Sequence, residues 1–168
     1  VACDMVRLCP ALQKRCDLRP SRKSINFGPT NSVYKAVSSE VGGKSGVNIS
    51  ALVFDELWVQ KYRKFFEMMT VGTSDARKNP LHFIITTAGN DTNSICYELH
   101  QKAVDIIEGR KVDPTFYPVI FGANMDDDWT NPEVWKKANP SLGPVKDSSA
   151  LRYKVEKAKA NPMLVRNL

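Results

Sequence analysis

Residues 51 to 56 read Ala-Leu-Val-Phe-Asp-Glu, four apolar side chains running without interruption into two carboxylates. An apolar run with no polar alternation is how a strand of a parallel sheet reads when both of its faces are covered. "LHFIITTAG", residues 81 to 89, repeats the layout and ends in hydroxyls and a glycine instead of acids. Between the two, Tyr62, Phe65, Phe66 and Met69 recur at helical spacing, which predicts a helix from Trp58 to Met69 with an aromatic core face. Strand, helix, strand in this order points to an α/β fold, because parallel neighbours need a crossover connection. A second helix is expected from Asn93 to Glu108, closed by Gly109.

The flanks are less regular. "VACDMVRLCPALQKRC" places Met5, Leu8, Leu12 and Cys16 at helical spacing around an interrupting Pro10. Because the chain opens inside this helical pattern, at Val1 and without a methionine, it is expected to be a fragment with an upstream part missing. "KSINFG" and "SVYKAVSS" flank the turn residues Gly28-Pro29-Thr30-Asn31 and predict a β-hairpin. "TFYPVIFG" is expected as a third strand, confined by Pro118 to an edge or a bulge. Past residue 124 the composition turns to proline, asparagine and charge, with a short helix around Glu133 to Lys137 and a charged helix from Ser149 to Ala160. The expected division is therefore a core over residues 1–124 and a linker or helical appendage over 125–168.

Charge and cysteines narrow the partners. A net charge of +6 favours a polyanion without identifying one. The four cysteines form no Cys-x-x-Cys pair, and three of them stand far from the two histidines, so they read as reduced, partly buried small hydrophobes of a cytosolic protein and not as a zinc site. No apolar stretch reaches the roughly 18 residues of a membrane helix, and no membrane partner is expected.

Three motifs carry chemistry. Gly43-Lys44-Ser45 looks like part of a phosphate loop, but Ser38 stands where the first glycine is needed and no helix fits between Ser45 and the strand at Leu52. A plain glycine-rich connection accounts for it. Asp55-Glu56 ends a buried strand, the place where open α/β sheets put ligands. There the first acid can orient Mg²⁺ or its water shell and the second can polarise the water that attacks a γ-phosphate. The plain alternative is an acidic helix N-terminus favoured by the helix dipole. Thr86 and Thr87, at the tip of the neighbouring strand, can hydrogen-bond the water or the γ-phosphate, and Gly89 permits a tight turn close to the ligand. Ordinary turn residues at a strand end would look the same.

Taken together, "ALVFDELW", "GTSDARKNPLHFIITTAGNDTNSICYELHQKA" and "FYPVIFGANMDDDWTNPEVWKKANPSLG" resemble, in order and spacing, the large terminase subunit of tailed bacteriophages, the ATP-driven DNA-packaging motor. The likeness is strongest between Leu52 and Gly143. It implies a partial RecA-like core of the ASCE P-loop NTPase class, with Asp55 and Glu56 as the Walker B pair and Thr86 and Thr87 in the coupling motif. Asp55 would hold Mg²⁺, Glu56 would activate water, and Gly89 would lie near the ATP. The family's phosphate loop would lie upstream and its nuclease domain downstream, so this piece alone is expected to hydrolyse little ATP. The implied partners are double-stranded DNA, the small terminase subunit, the portal protein and further copies in a ring, in the cytoplasm of a bacterial host. Another DNA motor of the helicase type, or a non-catalytic prophage remnant binding DNA or a partner through its basic surface, is the alternative.

In ring-forming motors of this type a basic residue shortly before the Walker B strand can reach the neighbouring subunit's ATP, and Lys44 lies about there, although lysine lacks the bidentate fork of arginine. Asp126-Asp127-Asp128 read as solvating residues before the helix that Pro132 opens and Asn131 caps, since consecutive acids on an irregular segment point apart. Arg77 and Lys78 precede the second strand, at the end away from the acid pair, and read as a solvated face.

Overall fold

The structure is a computed structural model that describes residues 1–38, 48–71, 77–124 and 126–161. It divides into two compact units, Val1–Glu98 and Leu99–Leu168.

The first unit opens with two short helices, α1 (Ala2–Arg7) and α2 (Pro10–Gln13). Pro10 takes the first turn of α2, where its missing N–H costs nothing. The stripe expected on this segment is not a core face: Met5, Leu8 and Leu12 are exposed and Val6 is buried in their place. Cys16, expected to end the helix, instead starts β1 (Cys16–Arg19), which pairs antiparallel with β2 (Ser24–Phe27). The expected hairpin is present, with β2 pairing antiparallel with β3 (Ser32–Lys35) through a turn over Gly28–Thr30. Its exit residue, Asn31, is left-handed at φ 52, a conformation asparagine tolerates better than most.

β4 (Ala51–Asp55) and β5 (Leu81–Ile85) are the parallel pair, in register from Ala51 opposite Leu81 to Asp55 opposite Ile85. The crossover between them contains a 3-10 turn at Leu57–Val59 and then α3 (Arg63–Val71). The aromatic face of α3 is core as expected in Phe65, Phe66 and Met69, whereas Tyr62 is exposed and lies before the helix starts. Phe54 meets Phe65 edge to face at 6.1 Å and Phe66 at 5.1 Å, a geometry worth about 0.5–1.5 kcal/mol per pair beyond area burial.

One expectation for β4 and β5 fails. Leu52 and Phe54 are buried, but Val53, Leu81, Phe83 and Ile85 are exposed. Their apolar character fits a two-faced strand, yet among the described residues only one face of the pair is covered.

α4 (Ile95–Ile107) crosses from the first unit into the second. Ser94 caps it by accepting from the Tyr97 N–H at 3.2 Å, and Gly109, left-handed at φ 73, ends it as expected. Residues 115–122 form no strand. Pro118 removes a ladder donor there, and no described residue pairs with the segment.

The second unit goes on to α5 (Pro132–Ala138) and α6 (Ser149–Ala160). Asn131 caps α5 as predicted, its Oδ1 accepting from the Glu133 N–H at 3.0 Å. Trp135, Leu142 and Val155 form a core flanked by Trp129 and Leu151, and the Trp135 indole N–H donates to the Trp129 carbonyl at 2.7 Å. No helix among the described residues is long and apolar enough to cross a membrane.

Candidate functional site

Parallel registry decides which groups meet. With Asp55 opposite Ile85, the residues that leave the two strands emerge side by side: Glu56 and Leu57 from β4, Thr86 and Thr87 from β5. This is the carboxyl end of a parallel pair, where such sheets place their ligands. Asp55 is exposed, and its carboxylate makes no hydrogen bond or ion pair among the described residues.

Glu56 leaves the strand in the left-handed region, at φ 54 and ψ 54, which costs a residue with a side chain about 1–3 kcal/mol. The reversal turns Leu57 inward to 1% exposure. Burying a leucine contributes about 1.5–3 kcal/mol, enough to offset the strain.

The Glu56 carboxylate is held. Its Oε2 accepts from the Trp58 indole Nε1–H at 2.6 Å and from the Thr87 hydroxyl at 3.2 Å. The two threonines, alike in sequence, are used differently. Thr86 Oγ1 accepts from the Trp58 backbone N–H at 3.0 Å and donates to the Thr87 carbonyl at 2.9 Å, so it joins the two strand ends. Thr87 is the one that reaches the acid. Gly89 serves close approach, since a Cβ there would lie 3.2 Å from the Cβ of Trp58. The turn expected at this glycine uses no left-handed φ.

Behind the site, Arg63 ties α3 to the start of α4. It gives a two-pronged pair to Glu98, with both contacts at 2.6 Å, and donates to Glu67 at 3.0 Å. A cleft of about 120 Å³ lined by Trp58, Gln60, Lys61, Arg63, Asp91 and Ser94 adjoins the site but includes neither acid. At that size it is below the roughly 300 Å³ of a small-ligand pocket.

Among the described residues no group of three or more histidine, cysteine, aspartate or glutamate side chains converges as a metal cage. The arrangement suits a hard cation that keeps its waters, such as Mg²⁺, which takes one or two carboxylates and completes its shell from water and substrate phosphates. Asp55 is the free carboxylate that fits this demand.

Lys44 lies outside the described residues, as do Gly43 and Ser45. Arg77 and Lys78 are exposed just before β5, at its N-terminal end. Of the three consecutive aspartates, Asp127 accepts from the Asn124 N–H at 2.9 Å and pairs with Lys137 at 3.0 Å, while Asp128 accepts from Thr130. The Asn124 amide, then Lys137, lowers the Asp127 pKa below the usual carboxylate range, and the Thr130 hydroxyl and amide do so for Asp128. Both act as local caps. Trp58 is the residue that sequence reasoning missed. An indole two positions after an acid is visible in the sequence, but it becomes a donor to that carboxylate only through the left-handed turn at Glu56.

Residues 4–105 match the family described as terminase large subunit, ATPase domain. The terminase large subunit of Enterobacteria phage HK97 is 29% identical over 165 residues, a match that covers 96% of this chain and 31% of that protein. Protein YmfN of Escherichia coli (strain K12) is 30% identical over 112 residues, covering 67% of this chain and 24% of that protein. The crystal structure of the HK97 large terminase matches with a TM-score of 0.80 and 27% identity, over 96% of this chain and 33% of that one. This chain therefore spans about a third or less of the length of these relatives. The parallel β4–β5 pair with its crossover helix is part of a RecA-like α/β fold, and the family match takes in both strands and the acid pair between their ends: this chain belongs to the terminase large subunit ATPase family.

Proposed function

We propose that this chain supplies the acid pair and the coupling strand of an ATP-hydrolysing motor that translocates double-stranded DNA into a phage prohead. The observation that carries the reading is the hydrogen bond from Thr87, just after β5, to Glu56, just after β4, which joins the two motifs at the strand ends. Bound Mg²⁺ would neutralise charge on the phosphates of ATP.

The chain's own residues divide the rest. Asp55 would hold the metal's water shell through its carboxylate, which makes no hydrogen bond or ion pair among the described residues. Glu56 takes the proton of the attacking water on the carboxylate oxygen that Trp58 and Thr87 leave open. Thr87 stands where a hydroxyl can sense the γ-phosphate, Thr86 keeps β5 joined to the turn, and Gly89 lets that turn close beside the nucleotide. Residues 1–124 belong to the ATPase part, and 125–168 lead toward a nuclease part. The motor works as a ring of copies with the small terminase subunit and the portal protein, in the host cytoplasm.

The test is Glu56→Gln in a large subunit that carries this segment together with a phosphate loop. Hydrolysis is lost while ATP binding is kept. DNA-stimulated turnover that survives the change overturns the assignment. Lys44 is proposed to act on the neighbouring subunit's ATP, and rings that mix Lys44→Ala with Glu56→Gln subunits test this through the pattern of complementation.

A further inference from the structure

Trp58 touches groups that leave both strands. Its indole N–H donates to Glu56 Oε2 at 2.6 Å, and its backbone N–H donates to Thr86 Oγ1 at 3.0 Å. Its Cβ occupies the space that a side chain at residue 89 would need. The indole bond is short and charge-assisted, the stronger kind of hydrogen bond. Thr87 adds a second donor to the same carboxylate oxygen at 3.2 Å. Among the described residues the other oxygen, Oε1, accepts nothing.

We propose that Trp58 is a positioning residue: its indole N–H fixes Glu56 through Oε2 and so presents Oε1 as the oxygen that receives the proton of the attacking water. The proposal rests on the reading of Glu56 as the base. The physical need is plain from the backbone. Glu56 is exposed and sits on a turn outside the strand, so its side chain has rotamers to lose and no packing to hold it. A general base must lie within hydrogen-bond reach of the proton it takes, and a misplacement of about 1 Å can cost about 100-fold in rate. One rigid donor two residues away, itself anchored to β5 through Thr86, supplies the constraint. Thr87 reinforces it from the neighbouring strand. Proton balance is simple: the water's proton moves to Oε1, its oxygen bonds to the γ-phosphorus, and the bond to the β-bridging oxygen breaks with ADP as leaving group.

Two measurements test this. In the chain itself, the indole N–H resonance of Trp58 shifts on Glu56→Ala, while those of Trp129 and Trp135 do not. An unmoved Trp58 signal shows that the bond is not made and overturns the proposal. In a large subunit that carries this segment, Trp58→Phe keeps the ring and removes the donor. The expected result is a fall in kcat of about 10- to 100-fold with KM for ATP changed less than about twofold, the pattern of an interaction made only in the transition state. Gly89→Ala, which displaces Trp58 without removing the indole, lowers kcat in the same direction. An unchanged kcat in Trp58→Phe overturns the proposal, and so does an increased one, which would mean that the bond restrains the base. If Glu56→Gln abolishes hydrolysis while Trp58→Phe does not slow it, the role of Trp58 fails alone. If Glu56→Gln leaves hydrolysis intact, the base assignment itself has failed.

Discussion

Glu56 and Leu57 show how one residue's cost is met by the next. The left-handed turn at Glu56 is strained for any residue with a Cβ, and it persists because it carries Leu57 into the core. Leu57→Ala should therefore do two things. It should destabilise the first unit by about 2–5 kcal/mol, the usual cost of truncating a fully buried leucine, and it should remove the burial that offsets the strain beside it. Urea denaturation of the chain measures the first effect, with Val59→Ala, exposed on the same 3-10 turn, as a control expected to stay within about 0.5 kcal/mol. A Leu57→Ala loss no larger than the control's would mean that the turn is held by the hydrogen bonds of Trp58 and not by burial. That the acids and the threonines meet at neighbouring strand ends was legible from sequence, because each pair directly follows an apolar strand run. Trp58 was not, because its role depends on the direction of the turn at Glu56, and nothing in the letters of a glutamate gives a positive φ.

At the scale of elements, legibility followed local signals. The cap at Asn131, the stop at Gly109, the hairpin across Gly28 to Asn31 and the helix from Ser149 to Ala160 all rest on contacts within a few residues, and all are present. The strand at residues 115–122 rested on apolar content alone. A strand needs a partner, and the sequence of the segment does not name one. The apolar run of β4 was likewise read as covered on both faces, a property that belongs to its neighbours and not to the run. The segment after α4 is held by polar contacts instead. Lys102 of α4 reaches Asp113 at 2.7 Å and sits over the Phe116 ring, 4.6 Å from its centre. The ammonium of Lys102 first, then the hydroxyl and amide of Thr115, hold the Asp113 carboxyl down to about 2 from an ordinary 3.8. A depressed pKa contributes stability that is fully present above the unfolded value and is lost as pH falls through the folded one. The contact should thus be intact at neutral pH and fade between about pH 4 and pH 2. Lys102→Met keeps the packing stem and removes the charge. A carboxyl ¹³C titration should then find Asp113 shifted up toward its ordinary value, and an unshifted midpoint would assign the depression to Thr115 instead.

For the whole molecule, the decisive matter is how much of a nucleotide site one chain can hold. Affinity for ATP in proteins of this class comes largely from a glycine-rich loop whose amides and following helix N-terminus surround the phosphates. Among the described residues no such loop leads into a helix. The groups that are present, Asp55, Glu56, Thr86 and Thr87, are those proposed to act on the metal, the water and the γ-phosphate, and none of the four attracts a polyphosphate by charge: the two threonines carry none and the two acids carry the repelling sign. Two exposed carboxylates beside one another disfavour a polyanion until Mg²⁺ neutralises them. The chain by itself should therefore bind Mg-ATP weakly, with Kd of about 1 mM or above, a binding free energy no better than about −4 kcal/mol. Titration calorimetry on the chain measures this, with Asp55→Asn as the companion variant. That variant should lose what little Mg²⁺ dependence the binding shows. A micromolar Kd for the chain alone would place a phosphate cradle within these residues, with Gly43-Lys44-Ser45 as the sequence to substitute first, and would overturn the division in which this segment supplies the acid pair and the coupling strand but not the phosphate grip.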